Sequence, residues 1–166
     1  MHIHIAELNA GLGKELPFSF TTAAADIDAT AADYAFEGPI EVEGHVTNTG
    51  TGYRVEGVIR ARKRFICDRC LEECLETQEH AFSEMFRQGT PAESDDANFF
   101  DGDEIELQEL VRDTLLAAQP LSNICKPDCK GLCPVCGANL NHGDCGCDRF
   151  VPDPRLAALQ QFQAKE

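Results

Sequence analysis

Eight cysteines of this chain fall into four short-spaced pairs: Cys67/Cys70, Cys125/Cys129, Cys133/Cys136 and Cys145/Cys147. A C-x2-C spacing lets two thiolates of one turn point at one ion; C-x3-C is looser and C-x-C tighter. Zinc takes about four ligands at roughly 2.3 Å in a tetrahedron, so two pairs close one site. The run Cys133-Pro134-Val135-Cys136-Gly137 is the most specific. Proline shapes its turn, glycine lets the backbone curl under a metal, and backbone N–H groups can then face the sulfurs. Cys145 and Cys147 follow closely enough to complete that site as a ribbon. The remaining pairs, Cys67/Cys70 and Cys125/Cys129, are left for a second site, which gives two zinc ions per chain. Cys74 is left over, a buried or idle thiol. Iron in a rubredoxin-like knuckle or a four-iron cluster uses similar ligands, so the choice of zinc over iron, and of two sites over one, stays open.

Catalysis is not expected. A closed four-thiolate site leaves no open metal position, and G-x-S-x-G, P-loop and H-E-x-x-H motifs are absent. His2, His4, His45, His80 and His142 show no catalytic spacing, and His142 is the one candidate for a substitute ligand. No small-molecule substrate is implied. The opening residues lack the basic and apolar regions of a signal peptide, and no apolar run is long enough for a membrane span. A cytoplasmic location is therefore expected, where cysteines stay reduced, and nine is an odd number for a disulfide framework.

The net charge of −15 argues against nonspecific binding of polyanions by the whole molecule. Basic residues are concentrated, however: Arg54, Arg60, Arg62, Lys63, Arg64 and Arg69 fall between positions 54 and 69. The stretch Glu93–Glu109 carries acids and no base. An anionic partner would meet the first region and be repelled by the second.

The elements that must position these residues follow from periodicity. Ile3 and Ile5 alternate with His2 and His4 as a short strand, before Gly11, Gly13 and Pro17 break the pattern. Residues 21–36 have no clear period. Residues 39–48 alternate as a half-buried strand, Asn48–Gly52 is turn chemistry, and a returning strand places Tyr53, Val55, Gly57, Ile59, Ala61 and Phe65 on one face. Its other face carries Arg54, Glu56, Arg60, Arg62 and Arg64. Residues 75–87 make a third antiparallel strand, whose imperfect alternation predicts a bulge. Residues 88–103 read as a mobile acidic loop. Leu107, Leu110, Val111, Thr114, Leu115 and Ala118 predict the principal helix, with Asp103, Glu104 and Glu106 near its N-terminal end and Pro120 stopping it. The expected fold is α+β: a small antiparallel β-sheet, one packed helix and a C-terminal four-cysteine zinc ribbon. The expected divisions are an α+β core over 1–122, a zinc-binding segment over 123–150, and a short helix over 151–166 begun by Asp153-Pro154.

Several of these runs resemble the bacterial YceD family: Cys67-Asp68-Arg69-Cys70-Leu71 after a hairpin, the continuous stretch Cys125–Asn141, and Asp153–Leu159. The resemblance runs in order over nearly the whole chain, least in the first forty residues. It implies a role in accumulation of the large-subunit ribosomal RNA, meaning synthesis, processing or stability of 23S rRNA, and no known enzymatic activity. It also supports pairing Cys67/Cys70 with Cys125/Cys129. Cys74 and the acidic central loop depart from the family pattern. The implied partner is rRNA or a ribosome-assembly protein, with Arg54, Arg60, Arg62, Arg64 and Arg69 as the contact for RNA. The alternatives are an adaptor that binds a ribosomal protein or nuclease through its acidic loop and, further off, rubredoxin-like electron transfer.

Overall fold

The computed structural model describes residues 1–90, 97–149 and Arg155. The chain divides into two compact units, Met1–Ile66 with Glu73–Asn123, and Cys67–Glu72 with Ile124–Glu166.

The first unit is built on a five-stranded sheet of order β2-β3-β4-β5-β6. Its strands are β2 (Glu15–Thr22), β3 (Tyr34–Asn48), β4 (Tyr53–Ile66), β5 (Glu73–Gln88) and β6 (Asn98–Phe100). Neighbours are antiparallel except β6, which runs parallel to β5. A separate two-stranded ladder pairs β1 (His2–His4) with β7 (Glu104–Glu106), putting Ile3 beside Ile105. The one α-helix among the described residues, α1 (Gln108–Ala117), packs on β5 and on the 3-10 turn Ala24–Ile27. It buries Val111 and Leu115 completely, about 1.5–3 kcal/mol for each such side chain.

The hairpin β3–β4 and the strand β5 lie where alternation places them. The sheet is nevertheless larger than the small antiparallel one expected. Residues 15–22 form an edge strand despite Pro17, which is tolerated because it removes a donor only from a strand with one neighbour. Residues 98–100 form β6 inside the stretch expected to be loop, with Phe100 buried. The irregularity of register falls in β3, between Glu37 and Glu41, and β5 pairs with β4 without interruption. Glu104 and Glu106 stand in β7, immediately before α1, whose N-cap is Leu107. The helix expected from Asp153 lies outside the described residues, Arg155 apart.

Lys63 is the main surprise on the buried face. It is 1% exposed, donates to Asn123 Oδ1 at 2.6 Å, and lies 4.5 Å from the Tyr34 ring centre and 5.2 Å from that of Phe65. Desolvation of an ammonium is tolerable here because an amide oxygen and two π-faces replace water.

One row across the sheet sets its packing: Phe18 pairs with Gly44, Gly44 with Gly57, and Gly57 with Phe82. Two rings thus close over two glycines. A Cβ on Gly57 would stand 2.5 Å from the Glu43 carbonyl oxygen and 2.8 Å from Phe82 Cζ. Gly57→Ala should therefore lower unfolding free energy by about 1–3 kcal/mol, the range for overpacking. Urea unfolding monitored by circular dichroism would show it, and an unchanged midpoint would mean that the strands shift apart without strain.

Candidate metal centres

Two turns of the second unit are built alike. In Cys67–Glu72, the Leu71 N–H donates to the Cys67 carbonyl at 2.9 Å and the Cys67 N–H to the Glu72 carbonyl at 2.9 Å. In Cys133–Ala138, the Gly137 N–H donates to the Cys133 carbonyl at 2.9 Å and the Cys133 N–H to the Ala138 carbonyl at 2.8 Å. The fifth residue of each turn takes positive φ, +59° at Leu71 and +75° at Gly137. Glycine adopts this conformation freely, whereas a side chain adds about 1–2 kcal/mol. Curling the backbone in this way turns successive N–H groups toward the first sulfur of each turn.

Each turn meets another cysteine pair. Cys67, Cys70, Cys125 and Cys129 bring their sulfurs within 4.8 Å of one another, and so do Cys133, Cys136, Cys145 and Cys147. In the first tetrad the Cys67–Cys129 and Cys70–Cys125 sulfur distances are 3.9 and 3.7 Å. A tetrahedron with bonds of about 2.3 Å has edges of about 3.8 Å, so four thiolates here fit a metal ion as they stand. Both groups could hold one. Cys74 is half-buried on β5 opposite Phe65 and stands outside both tetrads. His142 is not a ligand in this arrangement; its Nε2 lies 2.7 Å from Glu72 Oε1.

The electrostatics favour a cation. Burial pushes the Cys67 thiol up, but N–H groups of Cys125, Cys70 and Arg69 outweigh it and bring the group down to about 6. N–H groups of Cys136 and Val135 bring Cys133 to about 6 as well. Their companions go the other way. Burial and the neighbouring sulfurs push Cys125 up, and Cys136 and Cys145 push Cys147 up to about 12. Each tetrad therefore stabilises some thiolates and resists the rest, as crowded like charges must. A dication removes that resistance, because coordinated thiols deprotonate outright.

Spacing alone missed the groups that brace the sulfurs. Asn141 Nδ2 donates to Cys129 Sγ at 3.3 Å, and this is the leading cause of the lowered Cys129 thiol. Asn141 Oδ1 in turn accepts from the Lys130 N–H at 2.9 Å. Arg69 Nη1 donates to the Cys129 carbonyl at 3.1 Å, which ties the first turn to the second pair. The only signal in the sequence was the Asn139-Leu140-Asn141 run just past the second turn.

The other candidate contacts sit on β4. Arg54, Arg60, Arg62 and Arg64 do share its outward face, but carboxylates of the flanking strands meet the last three, while Arg54 stands between Thr47 and Met85. Arg60 reaches Glu43 and Glu79, both at 2.8 Å. Arg64 reaches Glu37 at 2.7 Å and Glu73 at 2.9 Å, and Arg62 lies 3.9 Å from Glu37. With Glu41 and Glu56 on the same face, acids outnumber the arginines. On another side of this unit, Glu84, Asp101, Glu104, Glu106, Glu109 and Asp113 line a cleft of about 840 Å³ with Phe86 and Leu110.

Asn141→Leu should weaken cobalt(II) binding at the first tetrad about 10–100-fold, the usual effect of losing a group that orients a ligand. The titration is made on a chain whose second tetrad is removed by Cys133→Ser and Cys136→Ser. Equal affinity with and without the amide would leave Asn141 a surface residue.

Residues 55–163 match the family described as large ribosomal RNA subunit accumulation protein YceD. An uncharacterized protein of Mycobacterium tuberculosis is 29% identical over 132 residues, covering 76% of this chain and 63% of its own. The large ribosomal RNA subunit accumulation protein YCED homolog 1, chloroplastic, of Arabidopsis thaliana is 27% identical over 169 residues, covering 81% of this chain and 53% of its own. The Zea mays protein of that name is 29% identical over 135 residues, covering 62% and 46%. The chain thus spans less than two thirds of the length of these relatives. No solved structure matches it. Because the matched stretch takes in most of β4, all of β5 and α1 and every cysteine of both tetrads, and exceeds half of the 166 residues, the chain belongs to the YceD family.

Proposed function

We propose that this chain is a non-enzymatic, zinc-binding cytoplasmic factor that acts in the accumulation of 23S rRNA, in its synthesis, processing or stability. The family match carries the reading, since it spans both tetrads and bears the name of large-subunit rRNA accumulation. Zinc is the metal that four thiolates in a closed tetrahedron suit best where no redox partner motif accompanies them. Bound there, it supplies folding free energy and no open coordination position for chemistry.

The second unit has good reason to need it. Among its described residues the buried apolar side chains are Leu140 and the cysteines Cys67, Cys70, Cys129 and Cys133. So small a core leaves chain entropy uncompensated without a metal. Cys67, Cys70, Cys125 and Cys129 would hold one ion, and Cys133, Cys136, Cys145 and Cys147 the other. Backbone N–H groups and Asn141 orient the sulfurs toward it.

A second reading, contact with a basic protein rather than with RNA, is favoured by the charge on the first unit. Arg60 and Arg64 of β4 are bracketed by glutamates, whereas the cleft between β6, β7 and α1 gathers six carboxylates. RNA binding through Arg60, Arg62 and Arg64 requires that phosphates displace those glutamates. The two readings separate in a salt series with a 23S rRNA fragment. Contact through the arginines predicts that replacing all three by glutamine lowers the slope of log affinity against log salt by about 0.7 for each phosphate lost. An unchanged slope moves the contact to the acidic cleft or elsewhere.

Two measurements test the main reading. Anaerobically purified chain should carry about two zinc ions by elemental analysis; iron in their place would revive electron transfer. In bacteria depleted of the protein, the ratio of mature 23S to 16S rRNA should fall and recover with the wild-type chain but not with Cys67→Ser or Cys133→Ser. A ratio that stays normal on depletion would refute the rRNA role.

A further inference from the structure

The two cysteine turns contain their own control. They share hydrogen bonds, position of the first sulfur and a positive φ at the fifth residue. The second turn fills that position with Gly137, the residue the conformation calls for. The first fills it with Leu71, a branched apolar side chain that disfavours φ of +59°. Packing does not explain the choice, because Leu71 is 64% exposed. Val135, 57% exposed in the second turn, is an ordinary surface residue with no such strain. At Leu71 strain and exposure coincide, on a turn whose twin shows that glycine serves.

We propose that Leu71 is an anchor for a protein partner, inserted into an apolar pocket of that partner and held at a fixed angle by the rigid turn beneath it. An apolar knob on a preorganised turn suits a hot-spot contact, since little side-chain or backbone freedom remains to be lost on binding. Charge decides the class of partner. The turn that carries the knob holds Asp68 and Glu72 against one cation, Arg69, and Glu72 also meets His142 at 2.7 Å. The described residues of this unit include no Phe, Tyr or Trp on which a base could stack. With a dication bound, the four thiolates of each tetrad would still leave it net negative. The described carboxylates and cations of the unit otherwise balance, five to five, so the turn and its tetrad set the local charge; an apolar pocket with a basic rim is complementary to that, and a phosphate backbone is not. This contact is separate from the acidic cleft and does not depend on the role in 23S rRNA accumulation.

The test uses the full zinc-loaded chain with the photocrosslinker p-benzoylphenylalanine at position 71, irradiated in cells. Adducts are digested separately with protease and ribonuclease. The expected adduct survives ribonuclease and is destroyed by protease. Its protein is identified by mass spectrometry, purified, and titrated with the wild-type chain and with Leu71→Gly. Leu71→Gly should bind at least tenfold more weakly while keeping two zinc ions and a melting temperature at or above that of the wild type. An RNA adduct, no adduct, or equal binding by Leu71→Gly overturns the proposal. Loss of zinc or a lower melting temperature in Leu71→Gly overturns it too, because the leucine would then be holding its own turn. Failure of the rRNA role shows in depleted cells instead, as unchanged 23S levels, and leaves this result standing.

Discussion

Sulfur atoms repel one another once ionised, and four of them crowded within 4.8 Å can all ionise only beside a counter-charge, a commitment that the remaining thiols resist without one. Much else in the second unit follows from that commitment. The αL residue at the end of each turn aims N–H groups at the first sulfur, and the Asn141 amide does the same for Cys129. With so few apolar side chains buried, the unit is arranged around its sulfurs and the groups that brace them rather than around an apolar core. The first unit solves the opposite problem by ordinary means, with long strands, one helix and a continuous apolar layer.

What could be read in the sequence divides along the same physical lines. Cysteine spacing is local, so both sets of four were legible. Long alternation is also local, and it revealed the β3–β4 hairpin and most of β5. Features that depend on a neighbour far along the chain were not legible. Pro17 argued against a strand until β3 was found to lie on one side of it only. Three residues at β6 carry no period of their own and become a strand only because β5 is there to pair with. Lys63 was counted with the basic cluster although period two puts it on the face of Ala61 and Phe65; that Asn123 and Tyr34 complete its surroundings depends on the fold.

The arginines of β4 show the same limit in electrostatic form. Their common face follows from period two, but their net effect depends on register with β3 and β5. Glu43 and Glu79 flank Arg60, and Glu37 and Glu73 flank Arg64, across strands separated by long stretches of sequence. Exposed pairs of this kind add little to stability, roughly 0–1 kcal/mol each. Their greater effect is on the field: the face seen by an approaching molecule is close to neutral or acidic, as the net charge of −15 foreshadows.

The row Phe18–Gly44–Gly57–Phe82 also acts as an alignment key. Strand pairs can in principle slide by two residues without turning any side chain to the wrong face. Such a slide would carry Phe82 from Gly57 to Val55 or Ile59, where a branched side chain already occupies the space its ring needs. Phe18 would leave Gly44 for Val42 or Val46, and the hollow over Gly44 would empty. These two rings fill hollows left by missing side chains, and the two hollows lie side by side. Four strands are thereby indexed to one another at a single position, much as a tumbler lock turns only when every pin reaches the same line.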